Sequence, residues 1–312
     1  MSAPVSVVAV VNIESAEARS VAHTVVRALV DAGASVRGLD RDVDALVAGD
    51  GDAGAGDGSG DLRDRVTRLG DSAPEGGVPG DVVVVFGGDG TILRAAEVAA
   101  GGTPLLGVNL GHVGFLAEAE PEDVQFVVDS LIDRRWEVEE RTRLQVQVQR
   151  GGDVVDGTWA LNEVSVEKAA RERMIEVLVE VDGRPLSRWG CDGVVCATPT
   201  GSTAYAFSAG GPVVWPEVAA LLVVPLSAHA LFARPLVVSP SSTITLDVAP
   251  GSQAVLWADG RRTIDVHDGD RLVVSAHPEP VRFARLAPAP FTDRLVAKFD
   301  LPVEGWRGRQ RS

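Results

Sequence analysis

The feature that most constrains this chain is the run Val82 to Phe86, followed at once by Gly87-Gly88-Asp89-Gly90-Thr91. Five consecutive apolar residues bounded by glycines are short for a helix and lack the alternation of a half-exposed strand. They predict a strand buried on both faces. Such a strand needs helices above and below it, and the flanking sequence supplies them. Val5 to Val11 is a second run of the same kind. After it Ser15 can cap a helix in which Ala18, Val21, Ala22, Val25 and Leu29 recur at helical spacing until Gly33 stops it. Ser35 to Leu39 predicts a strand, Ile92 to Ala99 a short helix, Pro104 to Val108 a strand, and Pro121 to Asp133 an amphipathic helix opened by proline. Strands alternating with helices imply a parallel sheet covered on its faces.

From about Leu144 the period changes to two. Leu144, Val146 and Val148 alternate with glutamines, and Val177, Val179 and Val181 alternate with polar neighbours before the turn Asp182-Gly183. Further short strands are predicted at 243–248, 254–257, 262–266, 272–275 and 281–286. The fold class is therefore an α/β N-terminal domain, a parallel sheet with flanking helices, followed by a β-rich C-terminal domain. Two domains suit 312 residues. The boundaries fall at 1–143 and 144–288, with the segment 289–312, from about Phe291, expected to return to the first domain. The stretch Ala48 to Asp61 is almost only Gly, Asp, Ala and Ser, cannot bury apolar surface, and predicts a flexible loop.

Charge narrows the partners. Asp and Glu number 44 against 29 Lys and Arg, a net charge of −15. An acidic surface repels phosphate backbones and anionic lipid, which argues against nucleic-acid or membrane binding, although a local pocket can still take a phosphorylated small molecule. The apolar, charge-free stretch Val218 to Ala233 contains Pro225 and His229 and is shorter than the ~20 apolar residues of a bilayer span. No basic region or cleavage site marks the N-terminus, so a cytoplasmic protein is expected. Cys191 and Cys196 are too few for a disulfide scaffold or a four-cysteine zinc site, and are expected to be small buried residues.

Four clusters can carry chemistry. The glycines of the Gly87 to Thr91 turn let the backbone approach a ligand, and amides at a helix start can hold phosphate oxygens, with Asp89 at the carboxyl end of a parallel strand. Gly-Asp-Gly is also an ordinary turn. No Walker loop and no Gly-x-Gly-x-x-Gly fingerprint is present. Asn109 to Leu116 is a second glycine loop after a strand, in which His112 is read as a surface or packing residue. Asn162-Glu163 offers an amide and a carboxylate that can bind ribose hydroxyls, or simply form a turn. Thr198-Pro199-Thr200-Gly201-Ser202-Thr203-Ala204-Tyr205 packs hydroxyls beside the one tyrosine of the chain, which suggests a polar pocket wall with a ring for stacking.

In this order and spacing, the four clusters resemble the NAD kinase family, and the likeness runs from Val5 to about Arg285. The first motif is shared with lipid kinases; the fourth is far more specific. The resemblance implies transfer of the terminal phosphoryl group of ATP, or of polyphosphate, to the 2′-hydroxyl of the adenosine ribose of NAD. It implies Asp89 as general base, Gly88, Gly90 and Thr91 with Arg94 around the phosphates, and a divalent cation, Mg²⁺, as cofactor. It implies Asn162 and Glu163 on adenine and ribose, Arg173 on a phosphate, and Thr203, Ala204, Tyr205, Ala206, Phe207 and Ser208 lining the NAD site. Asp192 would contact a base from a neighbouring subunit of a homodimer or homotetramer. Two departures stand out: the Gly/Asp-rich insertion, and Arg261 after Asp259-Gly260, where the family often has Gln. A lipid kinase should carry a Pro-x-Gly-Thr-x-Asn-Asp motif, which is missing. A nucleotide sensor without turnover would have no need of Asp89.

Overall fold

The computed structural model describes residues 3–47, 62–108, 114–116, 124–170, 173–287 and 290–303. The expected flexible loop at 48–61, the motif residues Asn109 to Val113 with His112, and the proline-led start of the helix at 121 lie outside them. Two compact units divide the chain: Met1–Glu140 with Arg282–Ser312, and Arg141–Val281.

In the first unit β1 (Ser6–Val11), β2 (Ser35–Gly38), β3 (Val66–Arg68), β4 (Val82–Phe86) and β5 (Leu105–Val108) run parallel in the order β3-β2-β1-β4-β5. The helices are α1 (Ala16–Asp31), α2 (Asp40–Val47), α3 (Leu62–Arg65), α4 (Asp89–Val98) and α5 (Val124–Ile132). Ser15 caps α1 by accepting the Ala18 N–H at 3.2 Å, and Gly33 leaves the helix at φ +90°, which a side chain would resist. Val7, Ala9 and Val11 of β1 and Val82, Val84 and Phe86 of β4 pack with α1, α2 and α5 in one core. Their alternate neighbours Val8, Val10, Val83 and Val85 are buried equally, so both sheet faces are covered. At about 1.5–3 kcal/mol for each apolar side chain so buried, this sheet is the rigid frame of the unit.

The second unit holds two antiparallel six-stranded sheets. One orders the strands Arg184–Cys191, Ile175–Val181, Ile244–Val248, Arg271–Ala276, Leu144–Arg150 and Asp153–Ala160. The other orders Leu236–Val238, Leu221–Leu226, Gly193–Ala197, Glu163–Lys168, Ala254–Ala258 and Arg262–Val266. Inward residues of both, among them Val146, Val177, Trp189, Val166, Val194 and Leu256, share one core. Cys191 and Cys196 are free thiols in that core, and burial pushes them up to about 11 and about 12. A smaller apolar cluster on Val195, Ala197, Leu222 and Val224 packs Ala206, which anchors the short α6 (Tyr205–Ser208).

The fold class is the one the sequence predicts, with three differences of detail. The helix after β4 begins at Asp89 rather than Ile92, because Gly88 can act as its N-cap in an extended conformation. The strand Val281–Arg285, expected in the β-rich domain, adds to the parallel sheet beside β5 through Phe283 and Leu105. That return places the unit boundaries at 140/141 and 281/282, a few residues before 143/144 and 288/289. The elements α2, α3 and β3, and the strands Glu137–Arg141, Asp153–Ala160, Arg184–Cys191, Leu221–Leu226 and Leu236–Val238, had no predicted counterpart.

Candidate active site

In the first unit β4 delivers the chain into Gly87, where a Cβ would overlap the Thr91 hydroxyl; only glycine allows so tight an exit. Gly88 caps α4, and Asp89, Gly90 and Thr91 form its first turn; the Thr91 N–H donates to the Gly88 carbonyl at 2.9 Å, and a helix start of this kind suits an anion. Asp89 is half-buried and firmly aimed. Its Oδ2 accepts the Phe115 N–H at 3.2 Å and its Oδ1 accepts the Leu116 N–H at 3.1 Å. A Cβ on Gly114 would lie 2.6 Å from Asp89 Oδ1, so the glycine is what lets this loop close on the carboxylate.

The same loop is gripped from behind by α7 (Phe291–Phe299). The Phe115 ring meets Phe291 and Phe299 at 5.8 and 5.9 Å, Arg294 Nη1 donates to the Phe115 carbonyl at 2.7 Å, and Arg285 Nη1 donates to that of Leu116 at 3.3 Å.

Arg94 is committed to the scaffold. Its fork donates to both oxygens of Asp42 at 2.7 and 3.0 Å and to the Val11 carbonyl at 2.6 Å, and Asp42 in turn accepts the Val11 N–H at 2.8 Å. Asp42 is fully buried, so its charge needs this guanidinium. Expected beside the phosphates, Arg94 is instead paired with Asp42 inside the scaffold.

In the second unit the Asn162-Glu163 turn is clamped from two sides. Asp259, buried and at φ +53°, accepts the Leu161 and Asn162 N–H groups at 3.0 and 2.7 Å, and Arg262 Nη2 donates to it at 3.1 Å. On the other side Thr198 Oγ1 donates to the Leu161 carbonyl at 2.6 Å and accepts the Gly201 N–H at 3.1 Å. A Cβ on Gly201 would overlap the Asn162 carbonyl. Glu163 lies buried between them: the Tyr205 backbone N–H faces its carboxylate, while its Oε2 has no hydrogen-bond partner. Burial, and then the neighbouring Asp259 charge, push Glu163 up to about 8.

Asp192, Tyr205 and Ser208 line one cleft of about 480 Å³ together with Glu167 and Lys168. The Lys168 ammonium, 2.5 Å from Asp192 Oδ1, holds that carboxyl below its usual range, helped by Ser227 and His229. Burial and Glu167 raise the Tyr205 phenol. Thr203 and Ala204 close the turn before α6, Phe207 is exposed beside it, and the Ala206 methyl points into the core instead of the cleft. Arg173 lines a different cleft of about 280 Å³ with Met174, Ser252, Gln253 and Asp268, which shares no lining residue with the first. Asp42, Asp259, Arg262 and Lys168 were not singled out from sequence. Asp42 lies in a segment whose charged residues mask its helix, and nothing local marks Asp259, 97 residues from its partner Asn162. Among the described residues no group of three or more His, Cys, Asp or Glu is placed to hold a metal ion, and no helix is long and apolar enough to cross a membrane.

A carboxylate at the first turn of a helix in the first unit, and in the second unit a buried amide, a buried carboxylate, hydroxyls and an exposed ring, are residue types that suit a phosphotransferase acting on a nucleotide. Residues 7–136 match the family model of the ATP-NAD kinase N-terminal domain and residues 161–286 that of the ATP-NAD kinase C-terminal domain. The chain is 53% identical over 289 residues to NAD kinase 2 of Streptomyces coelicolor, covering 92% of this chain and 91% of that one. It is 62% identical over 235 residues to the NAD kinase of Thermobifida fusca, covering 73% and 72%. The chain belongs to the NAD kinase family, and is an enzyme that phosphorylates NAD at the expense of ATP. Among solved structures, an NAD kinase from Archaeoglobus fulgidus in complex with ATP superposes with a TM-score of 0.62 at 32% identity, over 77% of this chain and 91% of that one. The fold alone is shared with a yeast NADH kinase complexed with NADH, at a TM-score of 0.81 and 24% identity over 99% and 89%. As an ATP-using kinase it works with a divalent cation.

Proposed function

We propose that Asp89 is the general base of this NAD kinase and that the phosphoryl group goes to the 2′-hydroxyl of the adenosine ribose. The hydroxyl gives its proton to Asp89 as its oxygen bonds the terminal phosphorus of ATP; the bond from that phosphorus to the bridging oxygen breaks, and ADP leaves with NADP. An alcohol is a far weaker acid than a carboxylic acid, so the proton moves late, as the new bond forms. The observation that carries this is the placement of Asp89, aimed by two backbone N–H groups at the start of a helix whose amides suit phosphate oxygens. Gly88, Gly90 and Thr91 supply that cradle. Arg94 sets its frame through Asp42.

Asn162 and Glu163 are assigned to adenine and ribose, Tyr205 to stacking on a ring, Thr203, Ala204, Phe207 and Ser208 to the wall around it, and Arg173 to a phosphate. Asp192 is assigned to a base, in a homodimer or homotetramer in which the neighbouring subunit supplies it. The cation is assigned as Mg²⁺. Such an ion would arrive on the nucleotide phosphates, keep part of its water shell and offset their charge beside the turn that carries Asp89. Soluble nucleotide substrates suit a cytoplasmic enzyme, and polyphosphate is a second donor to be tried.

The test is NADP formation from NAD, ATP and Mg²⁺, with Asp89→Asn run in parallel. The variant should bind NAD normally and lose about 10²–10⁴ in kcat. Near wild-type kcat would end the assignment of Asp89 as base.

A further inference from the structure

The peptide unit between Phe115 and Leu116 is used from both ends. Its N–H belongs to Leu116 and donates to Asp89 Oδ1 at 3.1 Å; its carbonyl belongs to Phe115 and accepts Arg294 Nη1 at 2.7 Å. A cation on the carbonyl of an amide withdraws electron density from its nitrogen and makes its N–H a stronger donor, so the two hydrogen bonds reinforce each other. We propose that Arg294 is a positioning residue for Asp89, acting through this single peptide. The inference rests on Asp89 being the base.

The surroundings fit that role. One peptide links the guanidinium to the carboxylate, so the bond that aims Asp89 shares its amide with a cationic donor. The Phe115 ring, in contact with Phe291 near the start of α7 and Phe299 at its end, fixes the helix to the loop on either side of Arg294. Arg285 repeats the arrangement one peptide further on, donating to the Leu116 carbonyl, but at 3.3 Å and on a peptide whose N–H is not the one bonded to Asp89. Arg294, at 2.7 Å on the peptide that Asp89 uses, is therefore the stronger lever. None of the α7 residues is fully buried, so the helix contributes little core of its own. Its contact with the loop is what ties the C-terminal segment to the chemistry. The long return of the chain to the first unit then has a reason: 179 residues separate Arg294 from the carbonyl it holds.

The experiment compares Arg294→Gln, Arg294→Lys and Asp89→Asn in steady state with NAD, ATP and Mg²⁺, with urea unfolding midpoints measured for each. R294Q keeps length and a donor but removes the charge. Its kcat should fall about tenfold while KM for NAD stays within about twofold and the unfolding midpoint stays near wild type. R294K restores a cationic donor and should recover kcat to within about threefold of wild type. A folded R294Q with wild-type kcat overturns the proposal, as does an R294K no better than R294Q, or a rise in KM for NAD that matches the fall in kcat. Should R294Q fail to fold, R294K decides alone: near wild-type kcat supports the role, and a tenfold loss at unchanged KM overturns it. If D89N itself keeps wild-type kcat, the base assignment has failed, whatever the Arg294 variants do.

Discussion

In the first unit two backbone N–H groups, from Phe115 and Leu116, converge on the half-buried carboxylate of Asp89. In the second unit the carboxylate of Asp259 collects the N–H groups of Leu161 and Asn162 and is itself buried. The bonds are alike and the roles are opposite. Around Asp89 the loop is the restraint and the side chain is the product: a carboxylate held at a fixed angle but open enough to meet a ligand. Around Asp259 the side chain is the restraint and the backbone is the product: a turn that presents Asn162 and Glu163. Asp89 should therefore be read out in kcat, and the residues around Asp259 in nucleotide binding, stability or pH dependence.

The largest effect that could break this contrast is the loss of kcat in D89N described above; a rise in KM for NAD instead would make Asp89 a binding group like those of the second unit. Next in size is Asp42→Ala. Asp42 also restrains backbone, through the Val11 N–H, yet it sits in the first unit and carries the Arg94 guanidinium, whose side chain is only 11% exposed. Removing one partner of a buried pair leaves the other charge uncompensated, so unfolding in urea should show a loss of about 3–5 kcal/mol. A loss below about 1 kcal/mol would mean that solvent reaches Arg94 and that the pair is not structural.

Much of the frame was legible because buried parallel strands write themselves as apolar runs. Val82–Phe86 needs no partner to be recognised, and the glycines after it mark the turn in the same few residues. The partners were illegible where they are distant or break the pattern. Asp42 is a charge on the inward side of a helix that reads as polar: Asp40, Arg41, Asp42 and Asp44 hide the buried Val43, Leu46 and Val47. The alternation in Val281–Arg285 shows a strand but not which sheet will take it, so its place beside β5 could not be foreseen. Of the site, the motif residues were legible and their supports were not. Arg294 and Asp259 act through hydrogen bonds across 179 and 97 residues, which no local spacing encodes.

Glu163 tests the second half of the contrast through pH. Its carboxyl, raised to about 8 by burial and by Asp259, holds in the folded protein a proton that the unfolded chain has released above its ordinary value near 4.5. Burial raises Asp259 as well, but the N–H groups of Leu161, Asn162 and Glu163 and the Arg262 charge oppose it, whereas Glu163 has one amide. A raised carboxyl binds more protons folded than unfolded between those limits, so its contribution to stability is full below about pH 4.5 and is lost as pH rises towards 8. The wild-type free energy of unfolding should fall across that window, by an amount on the order of a few kcal/mol once other groups are subtracted. Glu163→Gln should flatten that part of the profile. Identical profiles for the two proteins would show that Glu163 titrates normally and that the buried carboxylates do not interact.

The smallest effect concerns Tyr205, an exposed member of the second site, at 37% exposure. Its phenol bonds Glu167 and borders the cleft of Asp192 and Ser208, whereas its backbone N–H faces Glu163. The backbone contact survives any substitution; the ring and the hydroxyl can be removed separately. If the ring stacks on the nucleotide, Tyr205→Phe keeps what matters and KM for NAD should change by no more than about threefold, while Tyr205→Ala should raise it about tenfold at nearly constant kcat. Equal losses in the two variants would assign the contribution to the hydroxyl and its bond to Glu167, making Tyr205 a polar strut of the cleft wall. A fall in kcat without a change in KM would be the more damaging result, since it would give a residue of the second unit the signature reserved for Asp89.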